Sequence, residues 1–237
     1  MTYDELFITV KNYLQNDFPS NTWTNVAGTG VTTSDGTEQI NTFITQAEER
    51  IYNTVQIPPL RKNVTGVTSA NNKYLSCPID FLSVFSMAVI DGTGAYEYLL
   101  NKDVNYIRAA YPSPTATGLP QYYALFGPTV ASGVITDELS FILGPTPDAL
   151  YSVELHYYAY PESITTAGTS WLGDNYSPVL LYGTLVEAYT FLKGEVDLTA
   201  QYEKKYQEAL GQLNRLGTGL ERGDAYRDGQ AKIKVNP

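Results

Sequence analysis

The chain has 237 residues, of which 43% are hydrophobic and only 17% charged, and its net charge is −10. This length and apolar content support a buried core in one large domain or two packed lobes and exclude wholesale disorder. The acidic balance argues against tight binding of a phosphate backbone, which depends on lysine and arginine releasing counterions. A single cysteine, Cys77, excludes an internal disulfide and a cysteine-based zinc site.

Soluble domains average about 25% charged residues. Here the deficit is filled by Thr, Asn, Ser, Gln and 20 tyrosines. Tyrosine brings large contact area at low entropic cost and is enriched where proteins meet. The composition therefore points to an interface-rich protein. The N-terminus, Met1-Thr2-Tyr3-Asp4-Glu5, has neither the basic region nor the apolar stretch of a signal peptide. No apolar run reaches the 18 or so residues of a membrane span.

In chain order, Thr2-Tyr3-Asp4-Glu5 reads as a capping box opening a helix, with Leu6, Val10, Tyr13 and Leu14 on one face. Residues 16–35 read as a loop rich in Asn, Thr, Gly and Ser. A second helix carries Ile40, Phe43, Ile44, Ala47 and Ile51 inward and Glu48, Glu49 and Arg50 towards solvent. Pro58-Pro59 ends it. From residue 60 to 161 the apolar period becomes two, with strands expected at 63–68, 73–77, 84–90, 96–100, 121–126, 139–143 and 151–160, and a short helix at 101–111. Ser177-Pro178 is a helix start signal, followed by Leu181, Leu185, Ala188 and Leu192. Asp197 is expected to cap a last helix striped by Leu198, Tyr202, Tyr206, Ala209, Leu213 and Leu216 and closed by Gly217.

The fold class is thus α+β. A four-helix layer is built from both chain ends (1–59 and 162–217). An antiparallel β domain, a sandwich or small barrel, is inserted at 60–161, and an extended C-terminal arm follows at 218–237. In the arm, Tyr226, Ile233 and Val235 are apolar anchors, and Arg222, Arg227, Lys232 and Lys234 add positive charge to an acidic chain. With no core of its own, such a segment is expected to order on a partner, as an added strand or a strap. Arg222, Tyr226, Arg227, Lys232, Ile233 and Val235 are the candidate partner-binding residues.

A catalytic set is not legible. The only histidine, His156, lies among tyrosines on a strand, with no nucleophile motif beside it. Asp137-Glu138 and Glu48-Glu49 read as solvated pairs. Gly28-Thr29-Gly30 lacks the strand context and later glycine of a dinucleotide site. The expectation is a non-enzyme without cofactor or metal.

Three segments resemble the head-to-tail adaptor proteins of short-tailed bacteriophages. Tyr74-Leu75-Ser76-Cys77-Pro78-Ile79-Asp80-Phe81-Leu82 is similar to that family's Tyr-Leu-x-Leu-Pro-x-Asp-Phe-Leu segment, with Cys77 in place of the usual Leu. The stretch from Leu119 to Gly127 resembles its Pro-x-x-Tyr-x-x-x-Gly strand, and Leu143 to Pro161 its following hairpin. The resemblance covers residues 43–216. It implies a virion protein of the neck, assembled in the host cytoplasm. The implied form is a homo-oligomeric ring, twelvefold, between the portal protein and the tail nozzle, with tail fibres as further neighbours. DNA would pass through the lumen without specific binding, and no membrane is involved. The alternative is a glycan-binding or glycan-cleaving phage tail protein.

Overall fold

The computed structural model describes residues 1–16, 18, 21–24, 31–34, 36–113, 115–131, 134–137 and 139–221. In chain order the elements begin with α1 (Tyr3–Leu14), β1 (Asn21–Thr24), β2 (Val31–Ser34) and α2 (Gly36–Thr54), then a 3-10 turn at Pro58–Leu60. Next come β3 (Arg61–Val67), β4 (Tyr74–Ser76), β5 (Phe81–Ile90), β6 (Tyr96–Tyr98), β7 (Leu100–Asn101) and α3 (Val104–Ala110). They are followed by β8 (Tyr122–Phe126), β9 (Thr129–Ala131), β10 (Val134–Asp137), β11 (Ser140–Gly144) and β12 (Ser152–Ala159). The chain closes with α4 (Ile164–Ala167), α5 (Trp171–Phe191) and α6 (Val196–Glu221). Backbone contacts divide it into two compact units, one of residues Met1–Pro59 with Pro161–Pro237, the other of Leu60–Tyr160.

In the helical unit the capping box forms as its residues dictate. The Glu5 amide donates to Thr2 Oγ1 at 3.3 Å and the Thr2 amide to Glu5 Oε2 at 3.0 Å. α5 packs against α1, α2 and α6, and Leu172, Val179, Leu180, Leu185, Val186 and Ala188 on it are all buried. A helix that is apolar on every side belongs in the middle of its neighbours. A short helical stretch that was not expected opens at Trp171, where Ser170 accepts the Gly173 amide at 3.1 Å. It breaks at Tyr176, which leaves helical geometry (φ −148°, ψ 56°), and the helix begins anew at the expected Ser177-Pro178, where the proline has no amide to bond back across the break.

The stretch read as a loop at 16–35 contains the antiparallel β1–β2 hairpin, and its Thr-Trp-Thr and Val-Thr-Thr runs have strand propensity that the surrounding Asn and Gly obscured. Gly217 does not close the last helix. α6 continues to Glu221, so the arm read from 218 loses its first residues to the helix. Gly217 has another role. It is buried, and a Cβ there would collide with the Ile57 side chain.

The β unit contains two four-stranded sheets, ordered β3-β12-β5-β6 and β4-β11-β8-β7. They share one core, in which Met87, Val89, Val153, Leu155 and Tyr157 of the first meet Tyr123, Phe141 and Leu143 of the second. Phe141 is the centre of the aromatic packing, edge-on to Phe81 at 5.5 Å and to Tyr123 at 5.9 Å. The first sheet is antiparallel throughout, as expected. The second is mixed, because β7 pairs parallel with β8. α3 lies between these two strands in sequence, and a crossover of this kind, unlike a tight turn, returns the chain in the same direction. α3 also covers the outer face of this sheet through Ile107 against Ala124 and Ile142.

Candidate partner-binding surfaces

The motif from Tyr74 to Leu82 folds as a braced corner. Leu75 and Cys77 pack against the shared core, and Phe81 enters it. Between them the Phe81 amide closes a turn on the Pro78 carbonyl at 3.1 Å, and the Asp80 carbonyl accepts the Tyr160 amide at 2.8 Å. The Asp80 carboxylate takes the Tyr157 hydroxyl at 2.8 Å and the Lys62 ammonium. Burial alone would raise the Asp80 carboxyl, but the Lys62 and Tyr157 bonds outweigh it and hold it below the ordinary range. The same contact, with burial as the larger cause, pushes the Tyr157 hydroxyl up to about 12. The corner so fixed presents Ile79 fully to solvent.

The outer face of the β3-β12-β5-β6 sheet carries a polar and aromatic cluster around Glu154. Its carboxylate receives His156 Nε2 at 2.6 Å, Asn63 Nδ2 at 3.1 Å and the Tyr96 hydroxyl. The His156 bond is the main reason the carboxyl lies below its ordinary value, against a smaller opposing effect of burial. Tyr96 and Tyr98 stack at 6.4 Å and stand 51% and 66% exposed. Along the same face Arg61 lies over the Phe85 ring at 4.0 Å and donates to the Tyr158 hydroxyl at 2.7 Å. The alternation of β12 produces this surface: Val153, Leu155 and Tyr157 go to the core, leaving Glu154 and His156 outside.

Ser86 stands opposite His156 across β5 and β12, so a hydroxyl, an imidazole and a carboxylate share this face. They lie on an exposed strand surface, whereas acyl transfer needs water exclusion and convergent oxyanion donors. Two hollows in this unit bear on the glycan alternative. One of about 230 Å³ is lined by residues including Asn71, Lys73, Tyr74 and Tyr111, and one of about 530 Å³ by Asn101, Lys102, Asp103, Val104, Ala124 and Leu125. Neither set opposes two carboxylates, as glycosidic cleavage requires. Among the described residues no group of three or more His, Cys, Asp or Glu is placed to hold a metal ion.

The helical unit places its charges inward more than the sequence suggests. Glu48, expected in solvent, is only 3% exposed, and its carboxylate accepts the Ile164 amide at 3.0 Å, capping α4. Burial raises its pKa, partly offset by bonds from Ser163 and Ile164. Arg50, also expected in solvent, bonds Glu203 at 2.7 Å and lies over the Tyr206 ring at 4.5 Å, tying α2 to α6. Neither partner is near in sequence, so helical periodicity alone could not find them.

Among the expected partner-binding residues, Arg222, Tyr226, Arg227, Lys232, Ile233 and Val235 lie outside the described residues. The Glu154 cluster was missed in the sequence. Its signal in the sequence is the alternation of Glu154, His156 and Tyr158 on one side of a strand. Comparison with protein families matches residues 1–231 to the model of the SU10 adaptor protein. No curated protein matches the chain.

Proposed function

The chain belongs to the SU10 adaptor protein family, a structural component of phage particles that associates with other phage proteins, and from that premise we propose that it is the head-to-tail adaptor itself. Copies form a closed ring, twelvefold, seated between the portal and the tail nozzle, and DNA passes through the lumen. The observation that carries this reading is the open outer face of the β3-β12-β5-β6 sheet. Tyr96, Tyr98, Phe85 and the Glu154–His156 pair together make a surface of rings with fixed polar groups, and exposed aromatic rings are the residues enriched at the centre of protein interfaces. The acidic net charge suits a conduit, since a basic lining would hold the DNA back. The segment after α6, with Arg222, Tyr226, Arg227, Lys232, Ile233 and Val235, serves as a docking arm.

Electron microscopy of the chain mixed with its portal tests the proposal. Rings on the portal are expected, and the double variant Tyr96→Ser, Tyr98→Ser lowers ring yield at least about tenfold, the loss that one interface hot-spot pair confers. It stays folded, losing no more than about 1 kcal/mol with the stack and the Glu154 bond, because both rings are more than half exposed. A chain that remains monomeric beside the portal would overturn the adaptor reading.

A further inference from the structure

Four strands form the edges of the two sheets, and they are unequal. β6, β4 and β7 have only two or three residues each. β3 has seven, exposed from Lys62 to Val67. Unpaired edges invite strand addition, and proteins blunt them by shortness, proline, bulges or inward charges. β3 is long, contains no proline, and pairs with β12 in unbroken register from Arg61 to Val67. Its one inward charge, Lys62, is neutralised by Asp80.

The direction of the free groups follows from the ladder. The Thr68 amide bonds the Tyr151 carbonyl at 2.9 Å. In an antiparallel pair, residues alternate between facing the partner strand and facing away. Gly66, Val64 and Lys62 therefore bond to β12, while the amides and carbonyls of Val67, Thr65 and Asn63 point off the edge. On the core side of this edge, Val64 is 38% exposed and the space above Gly66 is empty to 4 Å. On the other side Asn63 leads to the Glu154 carboxylate.

Ala231-Lys232-Ile233-Lys234-Val235 matches both sides. As a strand it would lay Ala231, Ile233 and Val235 along Val64 and Gly66, and turn Lys232 and Lys234 towards the Glu154 face. After α6 ends at Glu221, residues 222–230 span up to about 30 Å when extended, about the diameter of a small domain. We propose that β3 is the acceptor edge for residues 231–235 of a neighbouring copy, which add to the sheet as a fifth strand. This rests on the ring reading and names the contact that closes the ring.

The test is amide hydrogen exchange on the full-length Ile233→Asp chain, with a synthetic peptide of residues 229–237 as the probe. The substitution prevents the chain's own segment from filling an edge. Added peptide should slow exchange at Asn63, Thr65 and Val67 by about tenfold or more. Lys62, Val64 and Gly66 are protected before and after, and the peptide carrying Ile233→Asp does nothing. If the wild-type peptide leaves the three outward amides unchanged, the proposal falls. So it does if assembled Ile233→Asp chains protect those amides as well as the unaltered chain, since another occupant then fills the edge. Neither result touches the ring reading, which sedimentation of the unaltered chain with its portal decides.

Discussion

The two units of this protein achieve close packing by opposite means. The β unit fills its interior with rings: Phe81, Tyr123, Phe141 and Tyr157 meet edge-on or stacked between two sheets. The helical unit works by omission. A Cβ at Gly183 would stand 3.2 Å from both Ala47 and Tyr206, and one at Gly217 would strike Ile57. The difference bears on function. A strand spends only alternate residues on the core, so the β unit keeps an outer face of Tyr96, Tyr98, Glu154 and His156 for partners. The central helix α5, which packs against three neighbours, is exposed only towards its ends, at Asp174, Asn175 and Pro178 and at Thr190 and Phe191.

The largest effect should come from emptying the ring-filled core. Phe141→Ala removes a fully buried side chain from two edge-on contacts and should cost about 3–5 kcal/mol. Urea unfolding measures it. A cost below about 1 kcal/mol, the scale of a surface change, would mean that the sheets collapse onto the gap and that aromatic volume does not define the unit.

Much of the β unit was legible because period two survives in short runs. All seven expected strand segments coincide with observed strands to within a few residues, and the 96–100 segment divides into β6 and β7 at Leu99. At Leu99 the chain passes from one sheet to the other, which periodicity does not record. Glu48 shows a different limit. Its neighbours in sequence mark a solvent face, and the amide it caps is 116 positions away. Gly217 shows a third. A glycine near an expected helix end reads as a stop, but here the absent side chain accommodates Ile57, and only the fold reveals that. The candidate site was the least legible part. Its aromatic and polar residues were each visible, but their union on one face depends on strand order, which places Asn63, Tyr96 and Glu154 on three different strands.

Two glycines of one helix sharpen the contrast next. In α6, Gly211 has nothing within 4 Å of where a Cβ would stand, so Gly211→Ala should stabilise by about 0.5–1 kcal/mol through helix propensity. Gly217→Ala gains the same propensity but forces a methyl onto the buried Ile57, an overpacking that costs about 1–3 kcal/mol. The expected signs are opposite, and thermal melts of the two single variants compare them directly. If both variants raise the melting temperature, the close approach of α6 to Ile57 is not what holds the helical unit.

The smallest effect concerns charge rather than volume, and it lies in a slope. Burial raises the Glu48 carboxyl above its ordinary value of 4.5, against the bonds from Ser163 and Ile164. A carboxyl raised in the fold holds its proton where the unfolded chain has already released one. Its contribution to stability is therefore complete below 4.5 and declines as pH rises towards the folded value. Glu48→Gln keeps an acceptor for the Ile164 amide and cannot ionise, so it removes this decline. Asp80 and Glu154, whose pKa values are lowered, contribute the opposite slope at acid pH, but they are present in both proteins and cancel in the difference. Wild-type stability minus variant stability, from urea midpoints, should thus be greatest near pH 4 and fall as the pH approaches neutrality. A difference that grows with pH would mean that the α4 cap binds the ionised carboxylate more strongly than burial opposes it, and that Glu48 belongs with Asp80 as a charge held by its partners.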